Sequence, residues 1–76
     1  MQNTIQQLPK ILKRFGFTPS DFHHITLTDR YINLHGHEGN LKKKVEGIAF
    51  ETVVTHHGIT RYTTIINDLN IEISLS

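Results

Sequence analysis

The sequence predicts an α+β domain: one N-terminal helix packed on an antiparallel sheet of about five strands, mostly a meander. Three observations lead there. Apolar residues near the start recur at helical spacing, the apolar period switches to two from Phe22 onward, and turn-forming residues then cut the chain into strand-length pieces. With 76 residues, either half alone would lack a core, so a single domain over residues 1–76 is expected.

In the first segment Ile5, Leu8, Ile11, Leu12 and Phe15 fall within an arc of roughly 120° on a helical projection. Gln6, Lys10, Lys13 and Arg14 fall opposite. Thr4 with Gln7 has the capping-box pattern, and Gly16 is a suitable C-terminal stop. Pro9 would remove a helical hydrogen bond, so the helix is expected to begin near Leu8 or to open with an irregular turn. Pro19-Ser20-Asp21 reads as a turn.

A two-residue turn at Asp29-Arg30 sets Leu27 opposite Ile32 and Ile25 opposite Leu34, which puts all four on one face. In the second hairpin a three-residue loop His56-His57-Gly58 places Ile48, Phe50, Val54, Tyr62 and Ile66 on one face. A two-residue turn at His57-Gly58 would scatter apolar side chains over both faces, so the longer loop is preferred. The last strand alternates Leu69, Ile71, Ile73 and Leu75 against Asn70, Glu72 and Ser74. A four-residue loop from Asn67 to Asn70 would pair Ile66 with Ile71. Glu38–Lys44 remains as the one long connection.

This geometry leaves a mismatch. Five strands span about 20–25 Å, whereas one helix of roughly 11 residues is ~16 Å long and ~10 Å wide. Either the sheet curls around the helix or a second subunit covers the remainder. The terminal strand, with Glu72 its only charge, reads as an exposed edge that invites pairing. A homodimer is expected, through Leu69, Ile71, Ile73 and Leu75 or through a face carrying Val53 and Ile65.

The six histidines fall in three pairs, His23-His24, His35-x-His37 and His56-His57. The first hairpin register puts His24 opposite His35, and His37 follows two residues along the same strand, so the three imidazoles would share one face. Their spacing suits a single ion such as zinc with nitrogen ligands at ~2.0–2.1 Å. Against this, H-x-H alone is a weak motif, and histidines on a solvated strand are ordinary. There is no H-E-x-x-H and no carboxylate cluster to orient the rings. The expectation is therefore a surface histidine patch and no cofactor, with zinc at His24, His35 and His37 as the alternative. Clustered imidazoles would also repel one another once protonated near pH 6.

Six of the eight basic side chains sit in two short segments, Lys10, Lys13 and Arg14 on the helix and Lys42, Lys43 and Lys44 in the long connection. If the two lie side by side they make a positive surface suited to phosphates, and nucleic acid is an alternative partner. The ordinary reading is that a helix needs a solvated face. Catalysis is not expected. Without cysteine the chain has no thiol nucleophile, disulfide or thiolate metal site, and Ser20, Ser74 and Ser76 lack a nucleophile motif. One helix on a sheet also leaves little room for a pocket of ~300 Å³. With no apolar run of roughly 7–15 residues at the N-terminus and none near ~20 residues anywhere, a cytoplasmic protein without a membrane partner is expected. The reading is a small non-catalytic interaction module that acts through its sheet face or an edge strand.

Overall fold

The computed structural model describes residues 4–76. In chain order its elements are α1 (Thr4–Phe15), a 3₁₀ turn (Pro19–Asp21), β1 (His24–Leu27), β2 (Tyr31–Gly36), α2 (Glu38–Glu46), β3 (Thr52–His56), β4 (Ile59–Ile66) and β5 (Leu69–Leu75). The α+β class is as expected. The strands form one sheet in the order β1-β2-β5-β4-β3, antiparallel except for the central pair β2–β5, which is parallel. The meander therefore breaks once, where β5 inserts between β2 and β4.

Helix α1 runs through Pro9 without ending. Thr4 already lies inside it, so a cap would fall on residue 3, outside the described residues. Ile11 and Leu12 are buried, but Ile5 is 71% exposed, which removes it from the expected apolar stripe. Gly16 stops the helix at φ +80°, with Gly16 N–H on the Lys13 carbonyl (3.2 Å) and Phe17 N–H on the Leu12 carbonyl (2.8 Å). That is the double hydrogen bond of a Schellman stop.

The β1–β2 register is the expected one: His24 pairs with His35, Ile25 with Leu34 and Leu27 with Ile32. The other two hairpins turn more tightly. His57 (φ 52°) and Gly58 (φ 76°) close β3–β4, and Asn67 (φ 50°) and Asp68 (φ 65°) close β4–β5. Two left-handed residues in a two-residue loop match the right-handed twist of strands, and Asn, Asp and Gly accept that conformation. In β4–β5 the shorter loop moves the register by two, so the faces keep their parity and Tyr62 meets Ile73. In β3–β4 the register moves by one. Val53, not Val54, now lies beside Tyr62, and Val54 lies beside Arg61 on the opposite face.

The stretch expected to be a loop contains α2. Leu41 and Val45, four residues apart, are both buried on the helix side, and Glu38 opens the helix while Lys43 and Lys44 lie in its last turn. This second helix removes part of the coverage mismatch. α1 lies over β2 and α2 over β5, both on the face that carries Ile32, Leu34, Ile71 and Ile73. These residues, with Ile11, Leu12, Phe17, Phe22, Leu41, Val45, Tyr62, Leu69 and Leu75, form one core.

The expected interface strand is therefore the wrong one. β5 is the middle of the sheet, and Leu69, Ile71, Ile73 and Leu75 are all buried in the core. Their alternation reflects a half-covered central strand, which has the same period as a half-covered edge. Val53 and Ile65 do not share a patch either: Val53 flanks Tyr62 on the helix side, whereas Ile65 flanks Asn70 on the other face.

Candidate functional site

The face of the sheet away from the helices carries the polar positions of every strand. The registers line up His24, His35, Ser74, Arg61 and Val54 in one row across the sheet, and Thr26, Asn33, Glu72, Thr63 and Thr52 in the next. Glu72 is the hub. One of its carboxylate oxygens accepts from Asn33 Nδ2 (2.6 Å), receives a long contact from Ser74 Oγ (3.4 Å) and lies 3.6 Å from Arg61 Nε. The arginine and glutamate are both partly solvated, so the ion pair orients more than it stabilises. Asn33 Oδ1 is buried with no hydrogen-bond partner among the described residues. Tyr31, Asn33, Thr63, Asn70 and Glu72 line a concavity of about 420 Å³ on this face. These groups can donate and accept hydrogen bonds. They do not pair a nucleophile with a base, since Glu72 already serves three internal donors.

Four histidines form a chain at one corner. Ring centroids are 5.7 Å apart for His24–His35, 6.4 Å for His23–His35 and 5.0 Å for His23–His37. The expected pair His24–His35 forms, but the trio with His37 does not. β2 ends at Gly36, so His37 has left the strand for the N-terminal end of α2, and its ring lies against His23 instead. Among the described residues no group of three or more His, Asp or Glu side chains is arranged to hold a metal ion. Burial pushes the pKa of His35 below its ordinary 6.5, and the neighbouring charges of His24, His23 and Arg61 push the same way while Glu72 opposes them. The His56 and His57 rings meet edge to face, 3.9 Å apart, at the β3–β4 turn, far along the chain from the other four.

Both basic segments lie on helices that pack on the same face of the sheet, and Lys44 of α2 reaches the end of α1. Several of these charges are already engaged. Lys44 donates to the Gly16 carbonyl (3.0 Å), lies 3.6 Å from Asp21 and sits 5.5 Å over the Phe17 ring, tying α2 to the end of α1. Lys42 lies 3.5 Å from Glu38 one turn back. Lys10, Lys13, Arg14 and Lys43 are exposed. The helix layer holds six basic side chains against Asp21, Glu38 and Glu46, so its surplus is positive, and the sheet side is correspondingly acidic.

The feature that the sequence reading missed is β3. All five of its residues are exposed, with Val53 at 56% and Val54 at 52%. It is an outer strand and neither helix lies over it. Its sequence, Thr-Val-Val-Thr-His, contains no charge, no proline and four consecutive β-branched residues. Charge and proline, two of the usual protections of an edge strand, are missing from it. The other edge, β1, is shorter, and its Ile25 and Leu27 are partly covered. The signal in the sequence was the unbroken β-branched run, where a half-buried strand should alternate.

Compared with protein-family models, with curated proteins and with solved structures, the chain matches none. Among the described residues no helix is long and apolar enough to cross a membrane.

Proposed function

We propose that the protein is a small non-catalytic interaction module that associates with a second copy by pairing strand β3 along its open edge. The observation that carries this is that every residue of a neutral, β-branched outer strand is exposed, in a sheet whose other strands are all at least partly covered. Such a strand presents backbone donors and acceptors and flat side chains to whatever lies beside it. Five residues of edge bury less than a standard patch of ~800 Å² per partner, so association in the micromolar range is expected.

Sedimentation at about 50 μM tests the reading, a concentration chosen to exceed a micromolar Kd. A two-residue hairpin is closed by a hydrogen-bonded pair, here His56 and Ile59, so the bonds of His56, Val54 and Thr52 point to β4 and those of Val53 and Thr55 point outward. Val53→Pro removes one outward N–H and leaves the ladder to β4 intact. The wild type should sediment as a dimer and Val53→Pro as a monomer. Val54→Lys, on an exposed side chain, should also separate the copies by placing like charges together. A wild-type monomer, or a dimer indifferent to both substitutions, would end the reading.

Nucleic acid is a second reading, supported by the exposure of Lys10, Lys13, Arg14 and Lys43 on two helices that pack on the same face of the sheet. Binding there should weaken steeply with salt and be nearly indifferent to base sequence. No binding to single- or double-stranded DNA at low ionic strength would dismiss it.

A further inference from the structure

Resting on the β3 reading above, we infer that the partner copy runs antiparallel on a two-fold axis through Val54, so that two five-stranded sheets join into one of ten strands with both helix layers on the same side. Within β3 the outward backbone groups belong to Val53 and Thr55. One antiparallel self-pairing uses both residues fully, with Val53 of each copy opposite Thr55 of the other, and each such pair exchanges both of its N–H···O bonds. Centring the axis on Val53 instead would pair Glu51 with Thr55, but Glu51 N–H is already turned inward onto the Thr63 carbonyl (3.0 Å). Centring it on Thr55 would pair Val53 with His57, which has left the strand for the left-handed turn. Either alternative retains only about half of the bonds.

Charge and packing agree with this register. The axis through Val54 sets Glu51 of one copy level with His57 of the other, at both ends of the pairing, and brings no two like charges together across it. Val54 meets Val54 at a non-hydrogen-bonded site, where side chains approach most closely, at about 4.5–5.5 Å between Cβ atoms. On the helix side Val53 lies beside Thr55. The helices stand over β2 and β5, so β5 and its helix are two strand spacings, about 10 Å, back from the joined edge. No described helix obstructs the approach. All of the joined strand's exposed apolar surface comes from the two valines, and this pairing covers both.

The chain contains no cysteine, so single cysteines report the register directly. Val53→Cys, Val54→Cys and Thr55→Cys are prepared separately and oxidised mildly at a concentration where the wild type is dimeric. The Val54→Cys variant should cross-link to itself at least about tenfold faster than the other two, because only its thiols approach closely enough for a disulfide. Residue 53 or 55 lies diagonal to its own copy at about 7–8 Å, beyond easy reach. Preferential linking in the Val53→Cys or Thr55→Cys variant would overturn the axis and leave the β3 interface standing. A wild-type dimer that is indifferent to Val53→Pro and gives no selective cross-link would overturn both, as would a wild-type monomer.

Discussion

Gly36 is where the position of α2 can be tested most sharply. It ends β2, is buried, and lies opposite Leu75 at the end of the parallel ladder. A Cβ built on it would overlap Leu41 Cδ1 and sit 3.3 Å from Phe22 Cδ1, and both neighbours are buried in the core. Leu41 is 2% exposed, so its side chain could yield only by repacking against its buried neighbours or by shifting α2. Overpacking of this kind costs about 1–3 kcal/mol, and removing a strand glycine returns roughly 0.5–1 kcal/mol. The net expectation for Gly36→Ala is a loss of about 1–2 kcal/mol, which for a domain of this size lowers Tm by roughly 5–15 °C. Gly39→Ala is the control: it lies in α2, its added Cβ meets nothing within 4 Å, and helical glycine-to-alanine changes stabilise by up to about 1 kcal/mol. Urea and thermal unfolding followed by circular dichroism measure both. In a Leu41→Ala background the cost of Gly36→Ala should largely vanish, because the clashing atom is gone. A neutral or stabilising Gly36→Ala in the wild type would mean that α2 does not seat Leu41 against β2, and the coverage of the sheet would need another explanation.

The remaining expectations concern charge and metal. Lys44→Met keeps the aliphatic cover on Phe17 but loses the bond to the Gly16 carbonyl and the ion pair to Asp21; both sites are partly solvated, so about 0.5–1 kcal/mol of stability should be lost in urea unfolding. His35 titrates below 6.5 in the folded chain, so the unfolded chain takes up its proton first, and stability should fall as pH drops below 6.5; His35→Gln should flatten that step in urea midpoints measured at about pH 7.5 and 5.5. The carboxyl of Asp21 is held low first by the Thr18 N–H and then by Lys44, so its contribution is present above 3.8 and lost at more acid pH; Asp21→Asn should remove that part of the acid limb. Zinc at ~1 mM should leave Tm unchanged within about 1 °C, whereas a site of even ~10 μM affinity would add roughly 2.7 kcal/mol at that concentration.

Much of the fold was legible because local rules agreed. Helical spacing placed α1, and strict alternation placed Ile25, Leu27, Ile32 and Leu34 on one face in the register that forms. α2 was hidden because Gly39 and Asn40 are poor helix formers and only Leu41 and Val45 mark its buried side. The signs were present in Glu38 at its start and the lysines in its last turn, where they complement the helix dipole. The parallel pair β2–β5 could not be read at all, since alternation reports that one face is covered and is silent on which strand lies beside which. The same blindness made β5 look like an edge. As for the histidine site, parity correctly joined His24 to His35. It failed at His37 because the strand ends one residue earlier, at a glycine whose role is to let Leu41 approach.

The exposure of β3 follows from how the sheet is covered. A parallel β2–β5 pair requires a long crossover, and the crossover contains α2, which lands on β5 beside α1 on β2. Two short helices then cover the middle of a five-stranded sheet and leave its far strand bare. The sequence of β3 is adapted to that position only in part. Val53 and Val54 on opposite faces make no sense for a half-buried strand, and they would be a liability on a free edge. They fit a strand that acquires a neighbour, because pairing covers side chains on both faces at once. Neighbouring strand residues face opposite ways in any register, so the tight His57-Gly58 turn decides only which valine goes where: Val53 takes the helix side and Val54 the open face, and a three-residue loop would have exchanged them. Turn geometry, edge position and side-chain choice are the features on which the proposed pairing of β3 with a second copy rests, and the cross-linking of Val54→Cys tests it.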